Sequence, residues 1–350
     1  MKQLGLKSIR KLARGVKDRL QGKAVVLLYH RVRPDPCFDP YVLGVSPAHF
    51  AEHLEIIPKY GRPMGLQQLV KALRNGKLPH RAVAITFDDG YVDNLEHARP
   101  LLERYDFPAT VFVTSGYVGQ TREFWWDELA RLLLHPGTSS EVLQLQIGEE
   151  QQQWELGKAA SYSRHDYDRY HEWNYGSDIE PSARHRVFRA LYRKLSPLSD
   201  SERNEVLGAL RSQITLHEPS ATHRVLTPAE VVRLAEGGLV EIGAHTVNHP
   251  VLASLPLAAQ RQEVEGSKSR LEEILGRAVT SFAYPYGSRA RSDYTPETVA
   301  IVRDAGFSCA CSNLAQPVRP GIDLFQIARA GTRDWDGESL ARRLDTWLQA

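Results

Sequence analysis

Two carboxylates stand side by side at Asp88-Asp89-Gly90, and two histidines stand four apart in His245-Thr246-Val247-Asn248-His249-Pro250. Adjacent carboxylates before a glycine can serve as turn formers or helix caps. They can also divide a hydrolytic task, one binding a metal while its neighbour accepts a proton from activated water. Asn248 and Pro250 make a loop or a single turn, rather than a long helix, the expected setting for the histidine pair. One carboxylate and two imidazoles supply three N/O ligands, the number that leaves a catalytic position open for water. A lone histidine is usually structural; the combination favours a metal hydrolase.

These residues all fall just past runs that read as strands. Ala24–Tyr29 is short, apolar and β-branched, and ends at His30; Ala82–Phe87 leads into Asp88. Ala109–Val113, 239–243, 279–283, 307–311 and 324–328 continue the series, with Tyr284-Pro285-Tyr286-Gly287 following one of them. Between them lie helical patterns with caps: Ser46-Pro47 opens a helix to about residue 60, and Thr227-Pro228-Ala229-Glu230 is a capping box. Further helices are expected at 67–74, 94–105, 256–275, from Thr295-Pro296 to Gly306, and at 339–348. Alternating strands and helices imply a parallel sheet, and seven or eight such strands suggest a closed or distorted barrel. In a barrel the chemistry sits at the C-terminal ends of the strands, so these loops would converge on one mouth.

Residues 121–235 interrupt the alternation with helical patterns at Trp125–Leu134, Ala183–Leu195 and 201–214, and hold four of the six tryptophans. They are expected to form a helical, aromatic-rich insertion between two barrel segments, 24–120 and 236–350.

Length and composition set outer limits. The chain has 350 residues, 42% hydrophobic and 25% charged, the balance of an ordinary globular protein. A net charge of +2 is too small for generic nucleic-acid binding. Three cysteines, Cys37, Cys309 and Cys311, form no disulfide framework and suit a reducing cytosol. Residues 1–23 carry eight Lys or Arg and one acid, with Leu4, Ile9, Leu12, Val16 and Leu20 at near-helical spacing. A solvated or docked helix fits this pattern. So does an amphipathic helix on an anionic membrane face, which would add a peripheral membrane contact to the cytoplasmic location that the cysteines suggest.

The motifs resemble those of the polysaccharide deacetylases, the nodulation-protein-B-like family. Thr86-Phe87-Asp88-Asp89-Gly90 matches the TFDDG motif, His245 to Pro250 matches H-[ST]-x-x-H-P, and Tyr284 to Gly287 matches most of R-x-P-Y-G. The resemblance spans about 24–120 and 236–335. It implies a distorted (β/α)7-8 barrel that removes acetyl groups from N-acetylated amino sugars, in a polysaccharide or a lipid-linked precursor. It further implies Asp88 as general base and Asp89, His245 and His249 as ligands of a divalent metal, zinc first, with cobalt or nickel as alternatives. Thr246 would buttress the histidine loop, and the Tyr286 backbone N–H would help hold the oxyanion.

Three departures from the family pattern matter. The motif arginine falls on Ala283, and Arg329 is the candidate to orient the base in its place. The tract Gly331-Thr332-Arg333-Asp334-Trp335 resembles the family's D-[ST]-x-D-W element with its first aspartate replaced. No histidine follows His249, so the family's late general acid is missing. Leu27-Leu28-Tyr29-His30 has the same local form at the front of the barrel, as in a subset of exopolysaccharide deacetylases, and His30 is assigned as general acid. Trp125 and Trp126 are candidates to stack on a sugar ring, with core packing expected for at least one of them. A non-catalytic glycan-binding scaffold and a hydrolase of small non-sugar amides are the alternatives.

Overall fold

The computed structural model describes residues 22–34, 39–217 and 223–349. Cys37 and residues 1–21, which make up all but the last two residues of the basic amphipathic segment 1–23, lie outside the described residues.

Eight short parallel strands follow one another through a nine-stranded sheet: β1 (Ala24–Tyr29), β2 (Ala82–Phe87), β3 (Ala109–Val113), β4 (Val240–Ala244), β5 (Ser281–Ala283), β6 (Cys309–Ser312), β7 (Ile327–Ala328) and β8 (Ala330–Gly331), with the ninth, Arg62–Pro63, pairing beside β2 off this path. Their order is β7-β6-β5-β4-β3-β2-β1-β8. The two edge strands, β7 and β8, are consecutive in the chain and part at Arg329. One pairs with β6 and the other with β1, Leu27 opposite Ala330, so the sheet nearly closes on itself. The expected strand at 324–328 is therefore shorter and divided, because one segment cannot stay in register with both edges of a tilted barrel. This is a nearly closed (β/α)8-type barrel, in line with the fold the sequence implied.

Strand residues alternate between two packed clusters. Val25, Leu27 and Tyr29 pack outward with Phe50, Leu54 and Ile57 of the helix Pro47–Tyr60. Ala24, Val26, Ala82 and Ala84 fall in the second cluster with Phe112, Ala283, Cys309 and Cys311. The period of two follows from the strand itself, and it carries His30 and Asp88 onward from that second row. The caps form as the sequence suggests: Ser46 accepts from His49 N, and Thr227 and Glu230 make a reciprocal box.

Residues 114–239 leave the sheet after β3 and return to pair beside it as β4, in register from Val240 against Ala109. The expected helical, aromatic-rich insertion at 121–235 also contains strands. Helices Trp125–Leu134, Ala183–Leu195 and Asp200–Arg211 are present, but so are two small antiparallel sheets. One is the hairpin Val142–Ile147 with Glu150–Glu155. The other pairs Gly137–Ser139 with Ser161–Tyr162 and Ile214–Leu216. The hairpin turns at Gly148, whose φ of +60° suits glycine. Leu143 and Leu145 of its first strand are buried and Ile147 is partly buried against the core, a period-2 pattern.

Candidate active site

Asp88 and Asp89 follow β2, and both are almost wholly buried. Arg329, from the break between β7 and β8, donates from Nη1 to Asp88 Oδ1 at 2.6 Å and from Nη2 to Oδ2 at 2.7 Å. The guanidinium that the sequence lacked at Ala283 thus reaches Asp88 from another strand. Burial alone would raise the Asp88 pKa; Arg329 and then His245 outweigh it and hold the carboxyl below its usual range.

Asp89 has the opposite environment. Its Oδ1 is buried without a hydrogen-bond partner. Burial, then the charge of Asp88, pushes its pKa well up. The same oxygen lies 3.6 Å from His245 Nε2 and 3.4 Å from His249 Nε2. His245 Nδ1 sits 2.8 Å from the Ala283 carbonyl, an acceptor, so Nδ1 carries the proton and the Nε2 lone pair faces Asp89. Burial keeps both histidines below their ordinary pKa and therefore neutral. An unpartnered buried carboxylate facing two neutral imidazoles is unfavourable by itself and fits a divalent cation. Donor atoms of Asp89, His245 and His249 all lie within 4.8 Å of one another.

The loop holding the histidines is braced at several points. Thr246 Oγ1 donates to the His245 carbonyl and accepts from His249 N. Glu263, on the helix Leu257–Leu275, accepts from Val247 N at 2.9 Å and Asn248 N at 2.8 Å. Asp89, Thr246, His249 and Tyr286 are four of the eight described non-glycine residues with positive φ. Such backbone costs about 1–3 kcal/mol per residue and persists where surrounding bonds enforce it, typically at functional sites.

An open cleft of about 470 Å³ receives His30, Asp88, Asp89, His245, His249 and Tyr286. Tyr41, Leu43, Trp126, Tyr192 and Asn313 complete its walls. Burial, against the pull of the Asp88 charge, lowers His30 to about 4. Trp126 lies 4.6 Å from the His249 ring and stacks on Phe124, and its Nε1 donates to Tyr91 OH at 3.0 Å. Trp125 is absent from the lining and is a core residue, so of the two stacking candidates only Trp126 reaches the cleft, with core packing holding for the other as expected of at least one. It packs on Tyr192 at 5.1 Å, with Arg203 over its ring at 5.0 Å.

The sequence reading missed Tyr41, Leu43, Tyr192, Asn313 and Glu263. Asn313 carried a signal, since it stands just past β6 as Asp88 stands past β2. The others come from a loop, the segment between β3 and β4, and an outer helix, and nothing local marks them.

The sequence profile of the family described as polysaccharide deacetylase matches residues 75–177 and 206–310, more than half of the chain. The chain belongs to the polysaccharide deacetylase family. The profile reaches across much of the segment that the motifs left uncovered. A poly-beta-1,6-N-acetyl-D-glucosamine N-deacetylase of Staphylococcus aureus (strain MSSA476) is 29% identical over 112 residues, covering 29% of this chain and 39% of that protein. The match thus spans well under half the length of that curated relative. Among solved structures, IcaB from Ammonifex degensii superposes with a TM-score of 0.57 at 21% identity, covering 94% of this chain and 99% of the other. The Streptococcus pyogenes deacetylase PplD, in complex with acetate, gives 0.56 at 18% identity, covering 93% and 99%. At such identities these two likenesses speak for the fold of this polysaccharide deacetylase and no further.

Proposed function

We propose that this polysaccharide deacetylase is a divalent-metal-dependent enzyme that hydrolyses the N-acetyl group of an amino sugar in a glycan or its lipid-linked precursor. The observation that carries the reading is the Asp88–Arg329 pair lying 3.8 Å from His245 Nε2, in the same cleft as the Asp89, His245 and His249 trio. Asp89, His245 and His249 would hold the cation; their mixed N/O donors suit zinc, cobalt or nickel better than calcium. Such a cation supplies Lewis acidity at an amide carbonyl. Asp88, kept ionised by Arg329, accepts the proton of the attacking water. The Tyr286 N–H donates to the oxygen that gains charge. The leaving amine needs a proton, and His30 delivers it. Being neutral at rest, His30 takes up the proton that Asp88 drew from the water and passes it to the leaving amine, so both side chains return to their starting states. Trp126, with Tyr41 and Tyr192 beside it, offers apolar faces to a sugar ring.

The relatives named for poly-β-1,6-N-acetylglucosamine make β-1,6-linked N-acetylglucosamine oligomers the first substrate to test. The assay is acetate release after chelation and reloading with zinc, cobalt or nickel, run beside β-1,4 oligomers, an O-acetylated sugar and a small amide. Metal-dependent release from N-acetylated oligomers supports the reading. Binding without release would favour a scaffold, and activity on small amides alone a different hydrolase.

A further inference from the structure

We propose that Asn313 is a positioning residue that couples Arg329 to the Tyr286 turn, so that the base and the oxyanion donor of the reaction proposed above are held by one side chain. Asn313 Oδ1 accepts from Arg329 Nη2 at 2.8 Å. Its Nδ2 donates to the Tyr286 carbonyl at 2.7 Å. Its main-chain N donates to the Gly287 carbonyl at 2.8 Å. The same Nη2 of Arg329 also serves Asp88 Oδ2 at 2.7 Å. A continuous chain of bonds therefore runs from Asp88 through Arg329 and Asn313 to Tyr286.

The amide group is specific to this place. Arg329 offers only donors and the Tyr286 carbonyl only accepts, so the bridging group must accept on one side and donate on the other. An aspartate would set a carboxylate oxygen against that carbonyl, and an alanine would span neither gap. The turn needs such a tether: Tyr286 sits at φ +58° and Gly287 at φ +64°. A Cβ on Gly287 would come within 2.9 Å of Asn313 N, so the two segments touch backbone to backbone. Without the tether, a non-glycine residue in the left-handed region has a cheaper conformation to relax into. The backbone N–H of Tyr286 would turn with it.

The inference rests on the deacetylase reading only for its kinetic consequence, and two measurements separate them. The first is hydrogen exchange of the Tyr284, Tyr286, Gly287 and Ser288 amides in the full chain without substrate, for wild type, Asn313→Ala, Asn313→Asp and a Leu314→Ala control. Exchange should quicken about fivefold or more in both Asn313 variants and stay unchanged in the control, as local tethers set local opening. The second is acetate release. Both Asn313 variants should lose about tenfold to a hundredfold in kcat, with KM and bound metal within about twofold of wild type, the mark of a group that acts on the transition state. The nearly isosteric aspartate guards against simple misfolding of the alanine variant. Unchanged exchange in both variants overturns the coupling. So does a kcat within twofold of an active wild type, or a loss that follows KM or metal content. A wild type that releases no acetate overturns the deacetylase reading instead, and the exchange result still decides the coupling.

Discussion

Arg329 grips both oxygens of Asp88, at 2.6 and 2.7 Å, from the point where the last barrel segment changes partners between β6 and β1. Closure of the sheet and orientation of the carboxylate are thus one event. Both groups are buried, so the pair has little water to fall back on. Arg329→Ala should leave Asp88 an uncompensated buried charge and destabilise the chain by about 3–5 kcal/mol. Arg329→Lys keeps the charge but loses the fork, and should fold, retain metal and lose about tenfold or more in turnover. Thermal unfolding and acetate release on the two variants check this; a lysine variant of full activity would show that bidentate geometry is irrelevant.

Asp88 and the three proposed ligands should separate cleanly. His245→Ala and His249→Ala are expected to lower bound metal and abolish hydrolysis. Asp88→Asn should keep metal and lose about 10²–10⁴ in rate, since shape is retained and the base is gone. Metal content after dialysis against a weak chelator reads this directly. Full occupancy in both histidine variants would sink the ligand assignment.

His30 lines the same cleft as Asp88 and His249. Of the three histidines that line this cleft, His30 is the one not assigned to the cation. His30→Ala should keep metal and lose turnover, while retaining activity towards an ester whose alkoxide leaving group departs more readily than an amine. Equal losses on ester and amide would point to a binding role instead.

His53 makes a test of pH and stability away from the chemistry. Its Nε2 donates to the Trp335 carbonyl at 2.7 Å, and Nδ1 lies 3.0 Å from Tyr29 OH, so the neutral ring is fully bonded. Burial lowers its pKa to about 4. The unfolded chain, with an ordinary histidine near 6.5, then binds more protons than the folded one between those values. The contribution of His53 is present above about pH 6.5 and is lost as pH falls towards 4, with a slope of at most about 1.4 kcal/mol per pH unit. Urea unfolding at a series of pH values should show a shallower acid slope in His53→Gln than in wild type. Identical slopes would mean that His53 is not charged on unfolding in this range.

Much of this was legible from the chain alone. Buried parallel strands need continuous apolar runs, and helix ends need caps, so β1, β2, β3 and the helices after Ser46 and Thr227 could be read locally. The Asp88-Asp89 and His245-to-His249 motifs were legible too, because both halves of each lie within a few residues of one another. The hairpin at 142–155 was legible in principle, since Leu143, Leu145 and Ile147 alternate with Gln144 and Gln146.

Other features had no local sign. Arg329 and Asp88 are 241 positions apart and meet only because the sheet closes between them. Trp125 and Trp126 are chemically the same side chain one step apart on a helix, about 100° around its axis. Only the packing of that helix decides that Trp126 meets the cleft and Trp125 the core. Asn313 is an ordinary residue until register brings Arg329 to one end of its amide and the Tyr286 carbonyl to the other. The sequence by itself determined which groups are available and roughly where along each strand they stand. Closure, register and helix rotation decided which of them touch, because these depend on contacts between residues far apart in the chain.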